Sequence, residues 1–217
     1  MNDKKNLILV GAGGHCKSVI DVAELAGYTI VGILGRPEEL GKKVLRYEVT
    51  GTDSDMASLA GKADFIVTVG QIKSSLIRIR LHEMLKEAGC SIATIISPTA
   101  YVSKYATVGE GSIVMHNAVV NADAHIGKGC IINSASVIEH EAVIGDFCHI
   151  STGVTVNGGT SIGDSTFIGS RCVINECLSI GDNAIVGSGS VVIDDLPSRS
   201  TSFGLPAKPV NTNKDNE

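Results

Sequence analysis

One histidine in this sequence stands between two carboxylates. His140 follows Glu139 and precedes Glu141. A neutral imidazole that donates one ring N–H to a carboxylate has its tautomer fixed, and its second nitrogen is free to accept a proton. These residue types at this spacing therefore indicate a general base. The base needs a rigid support and a substrate, so the surrounding pattern decides what it could do.

A six-residue repeat carries His140. From Ile96 to Val192 every sixth residue is Val or Ile, without an insertion. An α-helix cannot keep such a stripe on one face, because its apolar positions recur near 3.6 residues. Hexads of this kind are typical of a parallel β-helix. The stripe comprises Ile96, Val102, Val108, Val114, Val120, Ile126, Ile132, Ile138, Ile144, Ile150, Val156, Ile162, Ile168, Ile174, Ile180, Val186 and Val192.

The repeat resembles that of the left-handed β-helix acyltransferases, which implies three hexads, or 18 residues, per triangular coil. Glycine recurs at this period at Gly109, Gly127, Gly145, Gly163 and Gly181. We expect this column to repeat one special backbone conformation at a corner. The same register turns Cys130 and Cys148 inward as packing residues. Zinc β-helix enzymes of the γ-carbonic anhydrase type need an H-x-x-x-x-H pair, which is missing, so we expect no metal.

Residues 1–95 alternate apolar strand patterns with helical ones and predict a small parallel α/β, Rossmann-like domain. Its first turn, Gly11–His15, lacks the third glycine of a dinucleotide fingerprint, because Cys16 stands there. An NAD site is therefore disfavoured. Two interpretations stay open: a site for a phosphate-bearing ligand at the helix N-terminus, or a turn that only packs the helix on the sheet.

Composition and charge narrow the class of protein. Among 217 residues the net charge is −5, and no basic stripe suggests nucleic-acid binding. We expect no signal peptide and no membrane span, and six cysteines then indicate reduced thiols in the cytoplasm. We divide the chain into an α/β domain (1–95), a left-handed β-helix domain (96–196) and a C-terminal tail (197–217).

Two segments of the repeat, 132–141 and 144–151, resemble the bacterial nucleotide-sugar acetyltransferases. That family includes the UDP-4-amino-sugar N-acetyltransferases and the sialic acid O-acetyltransferases. Gly11–His15 and the closing Gly204–Lys208 match it as well, so the resemblance covers nearly the whole chain. It implies acetyl-CoA as co-substrate and a homotrimer with active sites between subunits. It also implies a role in bacterial surface glycans, such as the O-antigen of lipopolysaccharide.

The resemblance also implies roles for single residues. His140 matches the family's catalytic base, and Glu141 matches the carboxylate that raises its basicity. The predicted cofactor-binding residues are Asn133, His149, Ser170, Ser188 and Lys208, although Lys208 could also be a solvated tail residue. The predicted substrate-binding residues are Gly13, Gly14, His15, Gly35, Arg36 and Gly70.

Gly35 and Arg36 depart from the family pattern, because UDP-sugar members carry paired aspartates there. A dTDP-sugar is therefore a reasonable alternative to a UDP-sugar. The expected reaction is N-acetylation of the 4-amino group of a nucleotide-linked 4-amino-4,6-dideoxy sugar. The alternatives are O-acetylation of a sialic acid or related sugar hydroxyl, and a non-catalytic scaffold that binds nucleotide-sugars.

Overall fold

The computed structural model describes residues 5–212 and contains two compact units. The first unit takes the residues up to 70 together with 76–98, and the second takes 71–75 and the residues from 99 onward. No helix between residues 5 and 212 has the length and hydropathy needed to span a bilayer.

The first unit is a parallel α/β domain. Its sheet has the order β3-β4-β2-β1-β5-β6, in which only β3 and β4 pair in antiparallel fashion. Leu7, Leu9 and Phe65 are fully buried in it. The elements are β1 (Asn6–Val10), α1 (Gly14–Leu25), β2 (Thr29–Leu34), a 3₁₀ turn (Pro37–Glu39), β3 (Lys43–Val44), β4 (Tyr47–Gly51), a second 3₁₀ turn (Asp53–Asp55), α2 (Met56–Leu59), β5 (Asp64–Val67), α3 (Leu76–Glu87), β6 (Ser91–Ile92) and β7 (Ile95–Ile96).

The sequence predicts the Rossmann-like pattern of this unit, and the structure confirms it. The apolar runs Asn6–Val10 and Thr29–Leu34 predict two strands, and β1 and β2 have these bounds. The apolar spacing of residues 71–87 predicts a helix from Gln71, but α3 begins at Leu76. Residues 91–96 read as a single strand in the sequence, and the structure divides them into β6 and β7. The β3–β4 hairpin was not expected, because Tyr47–Gly51 mixes polar and apolar residues and lies toward the edge of the sheet.

The second unit is a parallel β-helix built from two-residue strands. Each strand pairs with the strand 18 residues later, as Val119 does with Val137, so a coil holds three hexads. Three sheets result, with strand orders β8-β11-β14-β17-β20-β23, β9-β12-β15-β18-β21 and β10-β13-β16-β19-β22-β24-β25. The strands are β8 (Tyr101–Val102), β9 (Thr107–Val108), β10 (Ile113–Val114), β11 (Val119–Val120), β12 (His125–Ile126), β13 (Ile131–Ile132), β14 (Val137–Ile138), β15 (Val143–Ile144), β16 (His149–Ile150), β17 (Thr155–Val156), β18 (Ser161–Ile162), β19 (Phe167–Ile168), β20 (Val173–Ile174), β21 (Ser179–Ile180), β22 (Ile185–Val186), β23 (Val191–Val192), β24 (Ser200–Gly204) and β25 (Ala207–Thr212).

The Val and Ile stripe forms the core of this helix. From Val114 to Val192 every sixth residue is buried, and these side chains pack in one cluster. Ile96 breaks the rule: it is 39% exposed, whereas its neighbour Ile95 is fully buried. Burying a Val or Ile contributes roughly 1.5–3 kcal/mol, so stacked coils stabilise one another.

The glycine column that starts at Gly109 has a different cause from the one expected. None of its five members has a positive φ. They are glycines because successive coils stack too closely for a Cβ atom, which at Gly127 would lie 2.7 Å from the carbonyl carbon of Gly145. The left-handed conformation instead falls two residues later, as at Phe147 (φ 55°) and Ser165 (φ 59°). The expectation of a special conformation in this column was therefore wrong.

The thiols of the two inward-facing cysteines form hydrogen bonds with backbone carbonyl groups inside the β-helix. Cys130 and Cys148 are fully buried and donate to the carbonyl oxygens of Gly145 and Gly163, each at 3.0 Å. The predicted inward packing of both cysteines is thus confirmed. A hydrogen bond with Cys130, together with burial, raises the pKa of Cys148 well above its usual value. All six cysteines are free thiols.

The last part of the chain forms a hairpin. β24 pairs in parallel with β22, and β25 pairs with β24 in antiparallel fashion. Much of the predicted tail is thus ordered on the last coil, and Lys208 lies exposed on β25. Residues 213–217 lie outside the described range.

Candidate active site

The structure brings His140 and Glu141 into contact at a corner of the β-helix. The Nδ1 atom of His140 lies 3.0 Å from a carboxylate oxygen of Glu141. Because the carboxylate accepts, Nδ1 carries the hydrogen and Nε2 has a free lone pair. Both side chains are more than 60% exposed, so Nε2 can be reached by a substrate.

Glu139, the other carboxylate of the motif, has a different partner. Asn121, one coil away, donates from Nδ2 to Glu139 at 2.8 Å. Glu139 therefore does not compete with Glu141 for the imidazole.

The His140 ring packs against the backbone of Gly158, one coil further on. A Cβ atom at residue 158 would lie 2.7 Å from Cε1 and 2.9 Å from Nε2 of His140. The ring is thus supported by a position that only glycine leaves open. The 18-residue register alone places Gly158 one coil above His140 and would suggest open space there, whereas the structure shows that Gly158 supports the ring.

We expect Gly158→Ala to lower kcat by about 10²-fold, because the methyl group displaces the His140 ring by a fraction of an ångström or more. The backbone φ of Gly158 is not in the left-handed region, so alanine fits the chain itself. The melting temperature of the variant should stay close to that of the wild type. Unchanged kcat would show that the contact with Gly158 does not position the base.

A second group of predicted residues lies at a different corner. Asn133 donates from Nδ2 to Nε2 of His149 at 3.1 Å, while its Oδ1 accepts from the Ser134 N–H at 2.8 Å. The other ring nitrogen of His149 donates to the carbonyl oxygen of Gln71 at 2.7 Å. Asn133 is therefore fixed at both ends, and His149, only 8% exposed, has both nitrogens engaged.

The remaining predicted cofactor residues fall near this second corner. The hydroxyl of Ser170 forms a hydrogen bond of 2.9 Å with the hydroxyl of Ser151. Ser188 lies one coil later and is exposed. These serines follow strands β19 and β22, which belong to the sheet of β13 and β16. His140 follows β14, which belongs to another sheet. One chain thus places the predicted base and the predicted cofactor residues at different corners of its β-helix.

The first unit contains a cavity of about 390 Å³ at the carboxyl ends of its parallel strands. All six predicted substrate-binding residues line it: Gly13, Gly14, His15, Gly35, Arg36 and Gly70. Helix α1 begins at Gly14, so its first backbone N–H groups lack partners within the helix and favour an anion. A side chain at Gly13 or Gly14 would meet no atom within 4 Å. Phosphate groups can therefore approach this backbone.

Two carboxylates that sequence reasoning missed also line the cavity. Glu39 accepts from the Arg36 backbone N–H at 2.9 Å and from its guanidinium at 3.0 Å, and these hydrogen bonds lower the pKa of Glu39. Burial raises the pKa of the Asp53 carboxyl, while the charge of Arg80 opposes that rise. Their only signal in the sequence is that they follow β2 and β4, and β4 was not recognised.

The described part of the chain contains no candidate metal-binding site. Across residues 5–212, no group of three or more His, Cys, Asp and Glu side chains is arranged to hold a metal ion.

Comparisons with known proteins agree with this arrangement of a cavity domain and a β-helix. Residues 6–85 match the model of the PglD N-terminal domain, and residues 159–194 match that of the bacterial transferase hexapeptide (six repeats). No curated protein sequence matches the chain significantly.

Several solved structures are similar over nearly the full length. Perosamine N-acetyltransferase from Caulobacter crescentus, solved as a histidine-to-asparagine variant with CoA and GDP-perosamine, is 31% identical with a TM-score of 0.89, covering 95% of this chain and 97% of that one. The acetyltransferase domain of PglB from Neisseria gonorrhoeae, with acetyl coenzyme A, is 33% identical with a TM-score of 0.87, covering 95% and 100%. WeeI from Acinetobacter baumannii is 25% identical with a TM-score of 0.83, covering 94% and 100%.

Identity above 30% over nearly the whole length, together with both domain matches, settles the family. The chain belongs to the bacterial nucleotide-sugar acetyltransferases that join a PglD-type N-terminal domain to a hexapeptide-repeat β-helix.

Proposed function

We propose that the protein transfers the acetyl group of acetyl-CoA to the 4-amino group of a nucleotide-linked 4-amino-4,6-dideoxy sugar. The proposal is carried by the geometry of His140. Its Nδ1 is hydrogen-bonded to the Glu141 carboxylate, and its Nε2 is free to accept a proton at an exposed corner of the β-helix. Relatives that act on perosamine or bind acetyl-CoA support the substrate class. The use of acetyl-CoA and the six free thiols fit a cytoplasmic location.

The reaction needs one proton to be moved twice. The lone pair of the sugar amine attacks the thioester carbonyl carbon, and a C–N bond forms. His140 Nε2 accepts the proton that the amine loses, and the resulting imidazolium is stabilised by Glu141. The C–S bond then breaks, and the departing sulfur takes that proton from His140. Such general acid–base help accelerates a reaction by about 10²–10⁴-fold.

No covalent intermediate on the enzyme is required. Holding the amine and the thioester in one site supplies a large part of the rate enhancement, because the bimolecular step becomes effectively unimolecular. The backbone N–H groups at the start of α1 would hold the diphosphate, and the sugar would extend from it.

We assign acetyl-CoA to the corner that carries Asn133, Ser170 and Ser188, with Lys208 on the hairpin near its phosphates. The Asn133 amide would face the thioester. His149 would act on the cofactor through Asn133, because its ring nitrogens are bonded to Asn133 and Gln71.

The different corners of the two residue groups support a homotrimer with active sites between subunits. In such an assembly the His140 corner of one chain faces the cofactor corner of its neighbour.

The assembly can be tested by mixing two inactive variants, His140→Ala and Ser170→Trp, after partial denaturation and reassembly. We expect activity to return to roughly a quarter of the wild-type value, because some interfaces then contain two intact corners. If both corners of one chain build the site, mixing restores nothing.

A thiol-release screen tests the proposed reaction. Acetyl-CoA is offered with UDP-, dTDP- and GDP-linked 4-amino sugars, and free CoA is measured with a chromogenic disulfide. We expect release with at least one acceptor and none without an acceptor. A scaffold that only binds nucleotide-sugars would release no thiol with any of them.

A further inference from the structure

The Asp53 carboxylate stands out in the cavity of the first unit. It lies just beyond β4, lines the cavity and is partly buried. The charge of Arg80 acts on this carboxylate, but no side-chain hydrogen bond to it is found among the described residues, whereas Glu39 in the same cavity accepts hydrogen bonds from Arg36. An ionised carboxylate only accepts hydrogen bonds, so a ligand that offers two adjacent donors would satisfy both of its oxygens.

Arg36 supplies the opposite chemistry in the same cavity. Its guanidinium is held by Glu38 at 3.1 Å and Glu39 at 3.0 Å, yet 72% of its side chain remains exposed. A guanidinium has five N–H donors, so several stay available to a ligand after these two contacts. The cavity therefore presents a fixed donor group and an acceptor-only group.

The nucleobases differ in how well they fit this pair. Guanine carries two adjacent donors, N1–H and the 2-amino group, and two adjacent acceptors, O6 and N7. Arginine binds O6 and N7 in bidentate fashion, and a carboxylate can accept from both donors. Uracil and thymine offer a single N–H donor between two carbonyl oxygens, so one carboxylate oxygen would face a carbonyl.

We propose that this cavity selects guanine nucleotide-sugars, with Asp53 accepting from N1–H and the 2-amino group of the base and Arg36 donating to O6 and N7. This inference rests on the proposed function, because it assumes that the cavity holds the nucleotide. It differs from the UDP- or dTDP-sugar that the sequence suggested, and the nucleotide titration below decides between them.

The proposal is tested by calorimetric titration with GDP, UDP and dTDP, which measures binding without acetyl transfer. We expect wild-type protein to bind GDP at least tenfold more tightly than UDP or dTDP. Asp53→Asn should weaken GDP binding by about ten- to a hundredfold, because the amide NH₂ then faces a donor of guanine. The same amide matches the pyrimidine edge, so UDP binding should be retained or strengthened.

Glu48→Gln is the matched control, since Glu48 is an exposed carboxylate on β4 that does not line the cavity. It should bind all three nucleotides as the wild type does. Tighter binding of UDP or dTDP than of GDP by the wild type would overturn the guanine assignment and leave the proposed function standing. An unchanged nucleotide preference in Asp53→Asn would overturn the role of Asp53. Failure of all three nucleotides to bind would count against the nucleotide site itself.

Discussion

Replacing His140 by alanine should lower kcat by about 10²–10⁴-fold, which is the range for losing a general base. The KM for acetyl-CoA should change little, because the predicted cofactor residues follow strands of another sheet. The fold should persist, since the side chain is 63% exposed and contributes nothing to the buried core. Steady-state thiol release and the melting temperature measure these effects.

His125→Ala is the control for this substitution. His125 is also an exposed histidine of the β-helix, and its ring contacts Thr107 at 2.9 Å rather than Glu141. We expect its kcat to equal that of the wild type. A His140→Ala protein with near-normal kcat would remove the base from the mechanism and leave Glu141 without a role.

Replacing Ile144 by aspartate should abolish folding of the β-helix. Ile144 is 1% exposed and belongs to the inward stripe. The variant loses the burial of an isoleucine and places an unpaired carboxylate in the core, which together cost on the order of 5 kcal/mol. That is as large as the whole stability of many domains. Soluble yield and urea unfolding report the outcome.

Val143→Asp provides the comparison at the adjacent position. Val143 is 44% exposed, because it points outward on the same strand. Its replacement should change the free energy of unfolding by no more than about 0.5 kcal/mol. Similar behaviour of the two variants would mean that the assignment of inward and outward positions is wrong.

The β-helix was predictable because its geometry repeats along the chain. A single phase places each residue on a face and a coil, which is why the burial of Ile138 and Cys148 follows from counting. Counting could not supply the reason for the glycine column. Whether Gly127 avoids a clash or adopts a positive φ depends on the distance between coils, and that distance is a three-dimensional property.

The candidate site was predictable only where it is local or resembles a family. His140 and Glu141 are neighbours in sequence, so their contact needed no fold. The support of the imidazole by Gly158 arises from stacking 18 residues apart. Asp53 was missed because β4 has no clean apolar pattern, and a residue at the end of an unrecognised strand cannot be assigned to a cavity.

The acceptor atom, an amine nitrogen or a hydroxyl oxygen, distinguishes the proposed reaction from its alternative. The most direct measurement compares thiol release from acetyl-CoA with a nucleotide-linked 4-amino sugar and with its 4-hydroxyl analogue, and locates the acetyl group of the product by NMR. We expect the amino sugar to be acetylated on its 4-nitrogen and the hydroxyl analogue to be inert within the assay. Equal or faster acetylation of the hydroxyl analogue would contradict this and assign the His140–Glu141 pair to O-acetylation.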